Sequence, residues 1–333
     1  MMLGELNGSH TGISGGWQIF SEPAPNVGYL GADVALAPGG YRIERIIPKM
    51  PAEHDGLKAG DLITAIDGRP LAPAPDALPQ LDIRTAMVDT AGREILLTLQ
   101  RDGAEMYLLI RPASSGADSG ARYEDEVLRR AATVDELSDG RLGYLHIRSM
   151  NMSSVRDFER DLYAAANGRD GLIIDVRDNG GGSTTDILLS SLTAPRHAYT
   201  IPRGADPAEV PEDAYPRDRR LIYGYSRPIN VLMNQNSFSN AEIFSHSIKT
   251  TGRGSLIGWP TFGGVISTGG FTLIDGTRVR MPFRGWYLPD GTDMENNGAQ
   301  PDVLVEQTPA SEVEGTDPQL EAAVDELLGR VGG

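Results

Sequence analysis

The sequence predicts a mixed α/β (α+β) protein in which a small β-rich module is followed by a larger α/β domain. Three observations carry that prediction. Residues 41–112 alternate short apolar runs with turn pairs, a small and polar stretch (Ala113–Gly120) interrupts the pattern, and beyond it strand-like and helix-like segments take turns. At roughly 150 residues per domain, the 333 residues suit two or three units.

Within the first module, Tyr41–Ile47, Asp61–Gly68, Glu94–Leu99 and Met106–Ile110 have the length and period of strands. Asp67-Gly68 and Asp102-Gly103 are suited to the tight turns beside them. Residues 113–122 read as a linker. After it, Val127, Leu128, Ala131 and Val134 space a helix over Tyr123–Leu137, followed by a strand at Leu142–Ile147, a helix near Val155–Ala166 and a strand at Gly171–Val176. The apolar run Gly171–Val176 suits a strand covered on both faces of a mainly parallel sheet. A helix near Asp186–Leu192, a strand at Ile229–Met233 and an amphipathic closing helix at Pro318–Val331 complete the pattern. The opening residues read as the end of a truncated helical domain, giving expected boundaries of 1–27, 28–112, 113–122 and 123–333.

Composition narrows the function. Forty-six acidic against 30 basic side chains leave a net charge of −16, which repels phosphate backbones and anionic membranes, so neither nucleic acid nor membrane is an expected partner. With no cysteine there is no disulfide, thiolate metal site or thiol nucleophile, and any covalent catalyst is an oxygen or an amine. Neither a basic lead with an apolar signal core nor a membrane-length apolar run is present, so the expectation is an unexported, cytoplasmic protein.

Two segments can carry chemistry. Asp175-Val-Arg-Asp-Asn-Gly-Gly-Gly182 follows the buried strand, and glycines at a strand's C-terminal end let main-chain N–H groups converge on an anion. No Gly-Lys-Ser/Thr follows, so a developing oxyanion suits this loop better than a phosphate. The second segment, Val231 to Phe244, reads as strand, polar turn and helix, and holds Ser239 at the helix start. Ser239 is a nucleophile candidate, but Ser239 with Glu242 also fits a helix capping box, which the residues alone favour. A serine needs a base, and the five histidines are His10, His54, His146, His197 and His246. Spacing does not choose among them.

Two family resemblances bear on this choice. Residues 28–112, with Gly56-Leu-Lys-Ala-Gly-Asp61 and Asp67-Gly-Arg-Pro70, resemble a PDZ domain. The ordered series Leu3-Gly-Glu-Leu-Asn-Gly-Ser-His10, the PDZ-like module, Gly143-Tyr-Leu-His-Ile147, Asp175 to Gly182, Ser239-Asn-Ala-Glu-Ile-Phe244 and Glu295-Asn-x-Gly298 resembles the catalytic C-terminal half of the tricorn proteases. That family is related to the tail-specific, C-terminal-processing proteases, which use a Ser/Lys pair; here Lys249, ten residues beyond Ser239, is the sole lysine after Lys58. The resemblance implies a PDZ domain ahead of a catalytic domain of the tail-specific protease (ClpP/crotonase-like) type.

It further implies Ser239 as nucleophile, His10 as its base, Ser9 on His10, Glu295 on Ser9, and oxyanion donors at Asn240 and Gly181, with Gly180 as the alternative. The implied activity is a serine peptidase acting on short or unfolded peptides without metal or organic cofactor, in a homo-oligomeric ring. The alternative is a PDZ-bearing peptide-binding scaffold without turnover. The family's β-propellers have no counterpart here, and Pro195–Arg220 departs from the family's specificity region. Trp259 and Phe262 read as packing residues or cleft walls.

Overall fold

The computed structural model describes residues 5, 7–15, 25–71, 81–193, 203, 204, 206, 208 and 224–332. Two compact units emerge, one of Ile19–Arg129 and one that joins Met1–Gln18 to Arg130–Gly333. The start of the chain therefore belongs with its C-terminal part. After a turn at Ser9-His10, Gly12–Ser14 forms a short strand, β1. Glycine at both of its ends and the β-branched Ile13 disfavour helix, and Gly15 turns the chain with φ 84°.

The Ile19–Arg129 unit is an antiparallel sheet. Its strands are β2 (Ala32–Ala37), β3 (Gly40–Ile46), β4 (Leu62–Ile66), β5 (Arg69–Pro70), β6 (Ile95–Arg101) and β7 (Ala104–Ile110), in the order β2-β3-β4-β6-β7 with β5 beside β4. Two short helices, α1 (Pro51–His54) and α2 (Leu81–Ala86), interrupt it. Period-two burial builds the core: Tyr41 and Ile43 from β3 and Ile95, Leu97 and Leu99 from β6 face inward. Both Asp-Gly turns adopt positive φ at each residue (48° and 71°; 52° and 79°), the geometry that suits a tight hairpin. The acid that opens β4, Asp61, is buried and takes both the Lys58 N–H (2.8 Å) and the Arg101 guanidinium (2.6 Å).

Residues 113–122 depart from the expected linker. Helix α3 runs over Ser115–Leu137, and the boundary between the units falls inside it. Small polar residues read as flexible, but Ser114 Oγ accepts the Ala117 N–H (3.4 Å), Arg122 pairs with Asp118 one turn back (2.7 Å), and Arg122 also reaches Asp33 of β2.

The other unit is built on a five-stranded, wholly parallel sheet. In chain order it contains β8 (Leu142–His146), α4 (Met152–Ala166), β9 (Gly171–Asp175), α5 (Thr185–Leu192), β10 (Ile229–Met233), α6 (Asn240–Thr250) and β11 (Ser255–Gly258). There follow β12 (Ile266–Thr272), β13 (Arg278–Gly285), β14 (Val303–Leu304), α7 (Pro309–Glu314) and α8 (Pro318–Val331). The parallel order is β14-β11-β10-β9-β8, and β1, β13 and β12 make a separate antiparallel sheet in which Gly12 faces Arg280. Every residue of β9 and β10 is buried, as strands covered on both faces require. Phe158 and Leu162 of α4 and Phe244 and Ile248 of α6 pack in one core cluster with Leu172 and Ile174 of β9 and Val231 and Met233 of β10, while α8 lies against β9, β10 and β11. Among the described residues, no helix is long and apolar enough to cross a membrane.

One charged cluster is sealed into this core. Asp175, at the end of β9, receives the Arg177 guanidinium (2.7 Å) and the Tyr144 hydroxyl (2.9 Å), while Arg177 also grips Asp317, the N-cap of α8, through two bonds of 2.8 and 2.9 Å. Burial alone would raise the Asp175 carboxyl, but Arg177, His146 and Arg130 outweigh it and hold the group well below the usual carboxylate range. Removing the acid leaves the buried Arg177 guanidinium with Asp317 as its remaining carboxylate and the Tyr144 hydroxyl without its acceptor, so Asp175→Ala should cost about 3 kcal/mol. A lowered urea midpoint, followed by circular dichroism, would report that loss.

Candidate active site

The site gathers where β9 and β10 end. After β9, Asp178 takes positive φ (58°), and Gly181 and Gly182 follow at 88° and 148°. The loop is anchored by Asn179, wholly buried, whose Nδ2 donates to Ile147 O (2.7 Å), whose Oδ1 accepts the Gly181 N–H (2.9 Å) and whose carbonyl accepts the Phe238 N–H (2.9 Å). A side chain has no room at 181: a Cβ there would lie 2.7 Å from both Ser239 Cβ and Phe238 O.

After β10, Ser237 Oγ donates to Val176 O (2.8 Å) and pins the turn, and α6 then starts at Asn240 with Ser239 as its N-cap. Ser239 has φ 58°, a strained setting for a residue with a side chain. The anticipated Ser239–Glu242 capping box is in place, but the Ser239 side chain makes no cap hydrogen bond. Glu242 Oε1 accepts the Ser239 N–H (3.0 Å), while Ser239 Oγ lies 2.9 Å from His10 Nε2. Glu242 is fully buried and also accepts from Thr261 Oγ1 (2.7 Å), Gly263 N–H (2.5 Å) and Gly264 N–H (2.9 Å). Sequence reading took this residue as a helix cap alone and missed its hold on the 261–264 loop.

On the far side of the imidazole, His10 Nδ1 lies 2.7 Å from Ser9 Oγ, which is 3.0 Å from Glu295 Oε2. Glu295, buried, also takes the Ser9 N–H (2.5 Å) and the Val265 N–H (2.7 Å). A carboxylate only accepts, so the one Ser9 hydroxyl proton goes to Glu295; His10 Nδ1–H then donates to Ser9 Oγ, which leaves Nε2 bare towards Ser239. Burial lowers the His10 pKa, the Arg280 charge lowers it further, and Glu295 opposes both. The result is an unprotonated nitrogen against a serine hydroxyl, capable of taking its proton at neutral pH.

The other candidates separate. His54 pairs with Asp55 at the surface of the other unit, His146 bonds Arg177 O (3.0 Å), and His246 is buried on α6 against the Asn297 backbone. His197 lies outside the described residues, as does most of Pro195–Arg220. Lys249 is engaged with Asp302 and with Gln300 O, both at 2.8 Å. The N–H of Gly181, first choice among the glycines for an oxyanion, is occupied by Asn179, a turn closure that the string Asn-Gly-Gly does not announce. Among the described residues the N–H groups of Gly180 and Asn240 have no acceptor. The Asn240 side chain faces the start of α5, accepting the Thr185 N–H (3.0 Å). Phe262 is 65% exposed and packs against Phe238 with its rings edge to face. Among the described residues no group of His, Asp and Glu is arranged to hold a metal ion.

Residues 141–305 match the profile of peptidase family S41 and residues 42–101 that of a PDZ domain. The chain is 33% identical to tricorn protease homolog 1 of Streptomyces coelicolor, over 89% of this chain and 28% of that protein. It is 30% identical to the tricorn protease of Thermoplasma volcanium, over 98% and 31% respectively. A crystal structure of the tricorn protease superposes with a TM-score of 0.80 at 29% identity, over 99% of this chain and 32% of the other. The chain thus spans under a third of the length of these relatives.

The electrostatics fix a sign that can be measured. In an NMR titration His10 should protonate with a midpoint below the ordinary 6.5. Arg280→Gln removes a positive charge that disfavours the imidazolium, so the midpoint should move upward; no movement would mean that Arg280 does not act on His10.

Proposed function

We propose that this chain, a tricorn-type serine peptidase of family S41, hydrolyses peptide bonds through an acyl-enzyme on Ser239. The observation that carries the reading is the 2.9 Å contact between His10 Nε2 and Ser239 Oγ, two residues 229 positions apart, backed by Ser9 and Glu295. As Ser239 Oγ attacks the scissile carbonyl carbon, its proton passes to His10 Nε2. The carbonyl oxygen, now negative, is received by the free N–H groups of Asn240 and Gly180, the first of them at the positive end of α6. His10 then gives the proton to the leaving amine nitrogen as the C–N bond breaks. Water repeats the sequence with His10 as base and releases the acid from Ser239. Every proton is moved by a side chain of this constellation, and the chemistry calls for no cofactor.

Short or unfolded peptides suit the site. The scissile carbonyl must enter between the 178–182 loop and the start of α6, where Gly181 already lies against Ser239. An extended main chain can present a carbonyl there, which a folded surface does not.

A fluorophosphonate should label Ser239 and fail to label Ser239→Ala or His10→Ala. Equal labelling of the His10 variant would remove that imidazole from the mechanism. Glu295→Gln is a finer test. Both carboxylate oxygens accept main-chain N–H groups, from Ser9 and from Val265, so either orientation of an amide sets N–H against N–H. The relay loses its order and the imidazole its fixed tautomer, which should lower kcat about 100-fold or more, with the fold retained by circular dichroism.

A further inference from the structure

Phe238 precedes the nucleophile and takes no part in the proton relay, yet its ring lies flat on the His10 imidazole, with centroids 4.5 Å apart and planes 21° apart. The ring is held there from three directions. Phe262 meets it edge-on at 5.0 Å and 85°. Gly264 leaves the space it fills, since a Cβ at 264 would sit 2.3 Å from Phe238 Cε2. The Phe238 N–H is tied to Asn179 O at 2.9 Å. Phe238 is only half-buried and lies outside the hydrophobic core, so core filling does not account for this placement.

We propose, resting on the serine-peptidase reading above, that Phe238 is a positioning residue for His10: its face fixes the imidazole plane towards Ser239 and favours the imidazolium formed when Nε2 takes the proton. Geometry supplies the first part. Hydrogen bonds at Nδ1 and Nε2 define an axis through the ring but do not stop the ring from swinging about that axis; a flat neighbour does. Electrostatics supplies the second. The face of a phenyl ring is negative, so it attracts an imidazolium more than a neutral imidazole. An interaction that strengthens as charge develops lowers the barrier rather than merely tightening the ground state. The other groups acting on His10 are Ser9 and Glu295 behind it, Ser239 before it and Arg280 of β13, and of these Arg280 opposes the imidazolium.

The test compares Phe238→Leu, Phe238→Tyr and a protein carrying pentafluorophenylalanine at 238, which keeps the ring's shape and inverts the charge of its face. On a peptide substrate, Phe238→Leu and the fluorinated protein should each lose about 3- to 30-fold in kcat with KM little changed. Phe238→Tyr should restore most of the rate. The NMR midpoint of His10 should fall in both impaired proteins. An unchanged kcat and midpoint in the fluorinated protein, which needs no repacking, would overturn the proposal even if Phe238→Leu folded poorly. Failure of the underlying function looks different: Ser239→Ala would then still hydrolyse the peptide, whereas an inert Ser239→Ala beside an unimpaired fluorinated protein sinks only the role of Phe238.

Discussion

The arrangement depends on one carboxylate holding the start of the chain in place. His10 comes from a segment whose described residues form a three-residue strand, paired to β13 through Gly12, Ile13 and Ser14. Such a strand is weak by itself. Glu295 adds two bonds to Ser9, one to its N–H and one to its hydroxyl, and bonds to an ionised acceptor are worth roughly 1.5–3 kcal/mol each. The acid is therefore an anchor as well as an orienter. It holds the segment that carries the imidazole, and by taking the Ser9 hydroxyl proton it sets which imidazole nitrogen stays bare.

A second carboxylate does the corresponding work for Ser239, and the two are joined by a single loop. The N–H groups of Gly263 and Gly264 go to Glu242, and the next one, on Val265, goes to Glu295. Glu242 simultaneously holds the Ser239 N–H, and Glu295 holds Ser9. Three consecutive amides thus set the spacing between the Ser239 backbone and the support of His10. Buried acids normally cost stability; here Glu242 accepts four hydrogen bonds and Glu295 three, which is the condition under which burial is tolerated. The same loop carries Phe262 and Gly264, which shape the pocket for Phe238.

Much of this was legible in the sequence, and the failures have physical causes. Strands such as β9 and β10 announce themselves because burial on both faces demands unbroken apolar runs, and Asp67-Gly68 and Asp102-Gly103 do so because few residues accept positive φ. Residues 113–122 misled because composition reports the flexibility of an isolated segment, whereas Arg122 earns its helix from partners at Asp118 and Asp33. Ser9 and His10 carry no local sign of chemistry; a polar turn near a chain end looks the same with or without a distant serine to meet. Gly181 shows the limit of reading glycine loops: sequence locates the turn, but which N–H remains free depends on where the Asn179 carboxamide folds back. Phe238, an aromatic between two serines, carries no sign in the sequence of what its ring faces; the ring planes show it.

The backbone strain at the site follows from the same demands. Asp178, Ser239 and His10 all have positive φ (58°, 58° and 61°), although none is glycine. Each such residue costs of order 1–3 kcal/mol, and the three sit in the 178–182 loop, at the start of α6 and in the turn before β1. In each case a partner outside the residue enforces the conformation: Asn234 Oδ1 takes the Asp178 N–H, Glu242 takes the Ser239 N–H, and Ser9, Ser239 and Phe238 surround the His10 ring. For Ser239 the gain is specific. In an ordinary N-cap the hydroxyl would bond back to the helix; the strained φ and the Glu242 grip on the N–H satisfy the cap through the backbone and release the hydroxyl to face the imidazole. A serine that capped its helix in the relaxed way would add to the stability of α6 while being lost to the chemistry.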